Sequence, residues 1–326
     1  MMVRQLSIWT TAASIVAAGL ALPAWAADAY PSKPIRLIVP YTPGQGADSA
    51  ARIVATKLSE QLGQPLVVEN RPGAGGNIGS EAAARAEPDG YTLLVGSNAT
   101  HAANSSLYSS MRFDPLKDFA PISYIGSVSM VMLAAPDFPA ADMRELIDLA
   151  KTKPDQINVA VPSSTARVVL ELLTTTSGTQ LKDIAYKGSS NAVSDLLGGH
   201  VQLSIDTAMA ATPQVTAGKL KALGVSTSKR SAMLPDVGTF AESGLPGFDL
   251  AAWNVWFAPS GTAAEIIDKL NLEIKAVLAD EGVKSQLRAL GYEPSGVETP
   301  QQVSEFVHSE TKKWGDLIRS AGIKVE

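Results

Sequence analysis

The segment IVPYTPGQGADSAARIV, residues 38–54, passes from an apolar strand through a Pro/Gly turn into helical spacing. A glycine-rich turn feeding a helix exposes backbone N–H groups at the positive end of the helix dipole, which is an arrangement that binds anions. Gly44 and Gly46 allow close backbone approach, and Thr42 adds a hydroxyl. A phosphate loop of this build would carry G-K-[ST], which is missing here; the nearest lysine, Lys57, lies well into the following helix. The turn is therefore expected to hold a carboxylate rather than a phosphate. Asp48 opens the helix, where its expected role is to satisfy the backbone N–H groups or a bridging water.

Other residues with reactive potential are less well organised. Ser163, Ser164 and Thr165 cluster in VPSSTAR, but no G-x-S-x-G elbow surrounds them. The three histidines, His101, His200 and His308, lie far apart, and none belongs to H-E-x-x-H or has a second ligand at helical metal spacing. His101 follows a strand end, where sites in open α/β sheets tend to lie; His308 reads as a surface residue. GAGGNIG, residues 73–79, follows a strand and precedes a helix, but its spacing departs from G-x-G-x-x-G and the next strand ends without an acid for a ribose. It reads as a turn that lets the helix pack closely. Trp253, Trp256 and Trp314 read as core or lobe-contact aromatics, with Trp253 the candidate for a cleft. With no cysteine in the chain, thiolate metal sites, cysteine nucleophiles and disulfides are excluded. No metal or cofactor is expected.

These residues hang on a repeated strand–helix pattern. IRLIVP, PLVVEN and YTLLVGSN read as strands separated by helices, and the same order restarts with INVAVP, DIAYKG, VQLSID and LKALGVS. AMAATPQVTAG reads as helical around Pro213, and the tail from Ala263 onward as strongly helical. ISYIGSVSMVMLAAP and LPGFDLAAWNVWFAPSG read as strands crossing between two lobes. Two lobes joined by two crossings suit a hinge-closing protein. The expected division places residues 27–128 and 247–326 in the first lobe and 129–246 in the second. The fold class is α/β, each lobe a mainly parallel sheet flanked by helices.

Ahead of these elements, Arg4, an apolar run and the small-x-small triplet Ala24–Ala26 form a secretory leader, residues 1–26, cut after Ala26. A membrane-anchoring helix is the weaker reading, because the run is short and interrupted by Ser and Thr. With 45% hydrophobic and 18% charged residues and a net charge of −5, the chain reads as globular and not as a nucleic-acid binder. The mature protein is expected in the periplasm, outside the membrane and monomeric.

PYTPGQGADSAAR resembles the P-F-x-P-G-G-x-x-D segment of the Bug (Bordetella uptake gene) extracytoplasmic solute receptors, the binding subunits of tripartite tricarboxylate transporters. VVENRPGAGGNIGSEAAARAEPDGYTLL, FDPLKDFAPI, YKGSSNAVSDLLGGHVQL and RSAMLPDVGTFAESGLPGF are similar to that family in the same order, so the resemblance spans the mature chain. It implies a two-lobed periplasmic-binding-protein fold of type II-like form, a carboxylate ligand held between lobes by backbone amides and waters, and membrane permease subunits as partners. Carried to this chain, the binding loops are Thr42, Gly44, Gln45, Gly46, Ala47 and Asp48; then Ser97, Asn98, Ala99 and Thr100. In the second lobe they are Ser163, Ser164, Thr165 and Ala166; Tyr186, Lys187 and Gly188; and Asp206 with Thr207. Two departures bear on ligand identity: Gln45 stands where the family usually has a second glycine, and VPSSTAR lacks the usual glycine-rich, histidine-bearing form. The expected function is capture of an organic anion for a permease. The rivals are an exported hydrolase using Ser163, Ser164 or Thr165, which lacks a base, and a receptor reporting to a signalling partner.

Overall fold

A computed structural model describes residues 30–320 and Gly322. The expected leader lies outside the described residues. Buried β-branched and leucine residues build β1 (Ile35–Val39) and β3 (Thr92–Ser97), and the half-buried β2 (Leu66–Asn70) forms the edge; they pair in parallel in the order β2-β1-β3. Helices α1 (Gly46–Leu62) and α2 (Asn77–Ala84) make the connections. The same grammar recurs in β5 (Asn158–Val161), β6 (Lys182–Ala185) and β7 (Leu203–Thr207), ordered β6-β5-β7 and again parallel, with α5 (Ser164–Ser177) and α6 (Ser189–Leu197) between them. Each unit reverses strand order beside its first strand, and clefts in open α/β sheets form at such points.

Strand β4 (Phe119–Ala134) joins the units. Its first part pairs antiparallel with β9 (Ala251–Pro259) through Ser129, and from Met130 it pairs with β7; β8 (Lys221–Val225) pairs beside it. The crossing strands therefore make each sheet mixed: three outer parallel strands, then antiparallel ones. Ser226 ties the two crossings together. Its N–H donates to the Met130 carbonyl at 2.9 Å, its Oγ donates to the Leu250 carbonyl, and its carbonyl accepts from Leu250 N–H at 2.9 Å.

Side chains alternate along the strands. Ile35, Leu37 and Val39 enter one core, while Ile38 and Leu94 enter the other, so both faces of the first sheet are covered. The tail packs on this sheet as α8 (Ala264–Ala279), α9 (Glu281–Ala289) and α10 (Pro300–Ser320). The expected continuous helical stretch breaks at Asp280, whose Oδ1 accepts from Gly282 and Val283 N–H and so starts a new helix. The tail also holds a short strand that periodicity did not reveal, β10 (Tyr292–Pro294), which pairs with β4. Helix α7 (Ala208–Thr216) runs through Pro213 as expected. Trp256 and Trp314 are core residues.

Candidate functional site

A cleft of about 580 Å³ lies where the carboxyl ends of β1 and β3 face those of β5 and β7. Its first wall comes from the loop after β1. Helix α1 starts there without a side-chain cap: Gln45, the residue before it, accepts no capping bond through its side chain. Gly46 and Ala47 line the cleft, so main-chain donors of the first helical turn face it. Thr42 and Gln45 line it too.

Asp48 does not line the cleft. Its buried carboxylate accepts from Gly44 N–H at 2.8 Å, from Arg52 Nε at 3.0 Å and from Asn70 Nδ2 at 2.8 Å. Burial alone would raise its pKa, but the bonds from Arg52, Gly44 and Asn70 outweigh that and hold it below the usual carboxylate range. Asp48 therefore braces the turn from behind. Gly44, with φ of 82°, supplies the bend, but its N–H is already used on Asp48 and it stands off the lining.

Ser97, Asn98 and Ala99 line the cleft after β3; Thr100 does not. The buried Thr100 hydroxyl accepts from Ser97 N–H at 3.0 Å and pairs with His101 Nδ1 at 2.8 Å. His101 is fully buried, with its ring stacked on Phe257 at 4.0 Å between centroids. Desolvation pushes its imidazole down to about 3, so it is neutral, and it is walled off from the cleft. Trp253 does line the cleft, and its indole N–H donates to Glu310 on α10 at 2.9 Å.

On the second wall Ser163, Ser164 and Thr165 line the cleft at the start of α5, while Ala166 is buried behind them. Ser163 Oγ caps the helix by accepting from Ala166 N–H at 3.1 Å. Thr165 Oγ1 accepts from Asn98 Nδ2 at 2.8 Å, a bond that joins the two walls. Tyr186 and Lys187 line the cleft; Gly188 lies beneath Gln45, whose Nε2 would stand 3.1 Å from a Cβ placed there. Asp206 and Thr207 complete this wall. Thr207 Oγ1 caps α7 by accepting from Ala210 N–H. Asp206 Oδ1 accepts from Thr207 N–H at 2.7 Å and Ser189 Oγ at 2.9 Å. Burial pushes its carboxyl up to about 6 despite those bonds.

The structure thus gathers Thr42, Gln45, Gly46, Ala47, Ser97, Asn98, Ala99, Ser163, Ser164, Thr165, Tyr186, Lys187, Asp206 and Thr207 around one space. It also brings in Pro72 and Gly73–Gly76, the latter being the start of the segment 73–79 read only as a structural turn. A Cβ on Gly75 would meet Tyr108 Oη at 2.8 Å and Ser164 Oγ at 2.9 Å, so this glycine keeps a gap between the walls. The available signal was the run GAGG, which invites left-handed turns, and Gly75 does take a φ of 62°. Arg167, also in the lining, was not foreseen; it pairs with Asp183 at 2.6 Å. Among the described residues no helix is long and apolar enough to cross a membrane.

Comparison with known proteins agrees with this architecture. Residues 50–323 match the model of the tripartite tricarboxylate transporter family receptors, TctC. Protein BugT of Bordetella pertussis is 38% identical over 315 residues, covering 96% of each chain. Among solved structures, Rpa4515 of R. palustris, solved with adipate, is 35% identical, with a TM-score of 0.86 over 91% of this chain and 100% of its own. MatC of Rhodopseudomonas palustris, solved with bound malate, is 32% identical, with a TM-score of 0.82 over 89% of this chain and 100% of its own. The chain belongs to the TctC family of tripartite tricarboxylate transporter receptors, and is a two-lobed solute-binding protein.

Proposed function

We propose that this receptor captures a small organic carboxylate between its walls in the periplasm and hands it to the permease subunits of a tripartite transporter. The observation that carries the reading is the cleft itself, where the uncapped start of α1 meets the starts of α5, α6 and α7. Four helix N-termini supply positive potential without a cluster of free cations, which suits a carboxylate better than a phosphate. Micromolar binding requires about 8 kcal/mol. A few charge-assisted hydrogen bonds, each worth about 1.5–3 kcal/mol, together with apolar burial on closure can reach that after ordering losses. The adipate and malate held by the two solved relatives are both dicarboxylates.

Closure takes place at the crossings, over Ser127–Met130 and Leu245–Leu250, where Ser226 holds both Met130 and Leu250. The lobes are residues 27–128 with 247–326, and residues 129–246. Export follows cleavage after Ala26. The protein acts as a receptor without turnover: Ser163 spends its hydroxyl on a helix cap, Thr165 accepts from Asn98, and His101 is sealed from them by its packing on Phe257. The test is calorimetric titration with mono- and dicarboxylates and matched phosphates, with small-angle scattering on the same samples. Carboxylate binding with a smaller radius of gyration is expected. Phosphate binding with no response to carboxylates would overturn the reading.

A further inference from the structure

Among the described residues Asp206 is the one acid in the lining, and it is only half used. Its residue is 1% exposed. Oδ1 takes two donors, the Thr207 N–H and the Ser189 hydroxyl. Oδ2 is shut off from bulk water and has no hydrogen-bond partner among the described residues. No described cation pairs with it: Arg167, the arginine of this wall, is held by Asp183, and Lys187 forms no ion pair among the described residues. A buried acceptor left without a donor is costly, more so when charged, and native proteins keep few of them. The main chain around Asp206 is already committed to the β7 ladder and the α7 start. Asp206 borders the cleft, and because Oδ2 is closed to a water-sized molecule, a donor meets it when the carboxylate turns toward that space.

A ligand carboxylate is a poor occupant for this spot. It would bring a second negative charge against a carboxylate with no cation between them. The anion belongs at the opposite wall, on the uncapped N–H groups of α1. The two walls therefore ask for different chemistry at the two ends of one molecule.

Building on the carboxylate reading, we propose that Asp206 is a specificity residue that receives a hydrogen-bond donor of the ligand, so that the physiological ligand is an organic acid bearing a hydroxyl or ammonium group. Acids that differ only by lacking that donor leave Oδ2 unpaired and bind more weakly.

Asp206→Asn tests this with little change of shape. The Thr207 N–H and Ser189 hydroxyl both need an acceptor, so they keep the amide oxygen at the Oδ1 position. The amide nitrogen then replaces Oδ2, and an acceptor becomes a donor. Calorimetric titrations at pH 8, where the carboxyl is ionised, would use matched pairs: malate or aspartate against succinate, and 3-phenyllactate against 3-phenylpropionate. Wild-type protein is expected to favour the donor-bearing member of at least one pair by tenfold or more, and Asp206→Asn to lose or invert that preference. Equal binding of both members of every pair that binds overturns the inference and leaves the carboxylate reading intact. So does a preference that survives in Asp206→Asn. Binding of matched phosphates with no carboxylate bound overturns both. Should the variant fail to fold, the wild-type pairs still decide, because the preference is a property of the native site.

Discussion

The two walls of the cleft meet a ligand by different means. The first is main chain: an uncapped helix start at Gly46 and Ala47, bent by Gly44 and braced from behind by Asp48. The second is side chain: Ser163, Ser164, Thr165, Lys187 and Asp206 on helix starts two of which are already capped. Main-chain donors do not vary when a residue is exchanged, so under the proposed function the first wall offers the same grip to any carboxylate. The second wall can change with a single substitution. A family built on this division can keep its anion grip while its members diverge in what else they recognise.

The largest expected effect lies behind the first wall. A Cβ on Gly79 would stand 2.7 Å from the Arg71 carbonyl oxygen and 2.9 Å from Pro40 Cα, both main-chain atoms of the cleft frame. Gly79→Ala is expected to lose about 3 kcal/mol or more and to lower Tm by more than about 5 °C. The corresponding glycine on the second wall, Gly188, faces the flexible end of Gln45 at 3.1 Å and the Thr42 hydroxyl at an ordinary 4.0 Å, and its φ of 170° is open to any residue. Gly188→Ala should leave Tm within about 2 °C of wild type. Thermal melts that rank the two variants the other way would break the contrast between a rigid and an adaptable wall.

Acid titration separates two buried groups, one beside each wall. His101 has its pKa lowered to about 3, so the neutral form is favoured on folding; its contribution is present above the ordinary value of 6.5 and is lost as pH falls toward 3. Asp206 is raised from 3.8 to about 6, so its ionised form opposes folding; stability is gained as pH falls from about 6 to 3.8. Between pH 7 and pH 4 the two act in opposite directions, on the order of 3 kcal/mol lost against 2 kcal/mol gained. Asp206→Asn removes the gain. Its urea-unfolding free energy should therefore fall about 2 kcal/mol further than that of wild type over this range; parallel pH curves for the two proteins would sink the assignment.

A binding effect without a stability effect is expected at Gly46. A Cβ there meets only Met209 across the cleft, at 3.7 Å, so the fold has room for it. The branched side chain of Gly46→Val, however, occupies the space in front of the α1 N–H groups. Affinity for every carboxylate should drop by tenfold or more, about 1.4 kcal/mol, with Tm within about 2 °C of wild type. A variant that binds like wild type would remove this turn from the site.

How much was legible beforehand follows the same division. The strand–helix repeats and both crossings were readable, because buried parallel strands and amphipathic helices leave strong period signals. That the loops after β1, β3, β5 and β7 should come to one cleft was implied by the family resemblance of their motifs, and it agrees with the rule that open α/β sheets bind ligands at their carboxyl ends. Which atoms within a loop face inward was not readable. Gly44 and Gly46 look equivalent in sequence, yet the Asp48 carboxylate takes the N–H of the first and leaves the second free. Arg167 and Pro72–Gly76 enter the lining through the approach of separate segments, which no local pattern records. The break at Asp280 was available as an N-cap signal inside a helical run.

The smallest expected effect is at Gln45, where the family resemblance implies a glycine. The Gln45 side chain reaches from the first wall to the second and lies over Gly188. It does not cap α1, so removing it costs no helix-capping bond. A glycine at this position would gain a few tenths of a kcal/mol as an N-cap residue and lose about 0.5–1 kcal/mol to the greater freedom of the unfolded chain. Gln45→Gly should therefore sit within about 1 kcal/mol of wild type in urea unfolding. Its effect belongs to ligand choice. With the side chain gone, the space it fills over Gly188 joins the cleft, and the walls lose one point at which they meet. Longer diacids should gain relative to shorter ones, by about threefold between adipate and succinate, or ~0.7 kcal/mol. Competition calorimetry with these two acids measures the ratio directly. An unchanged ratio would show that Gln45 only fills space at the rim, and would confine selectivity to the side chains of the second wall.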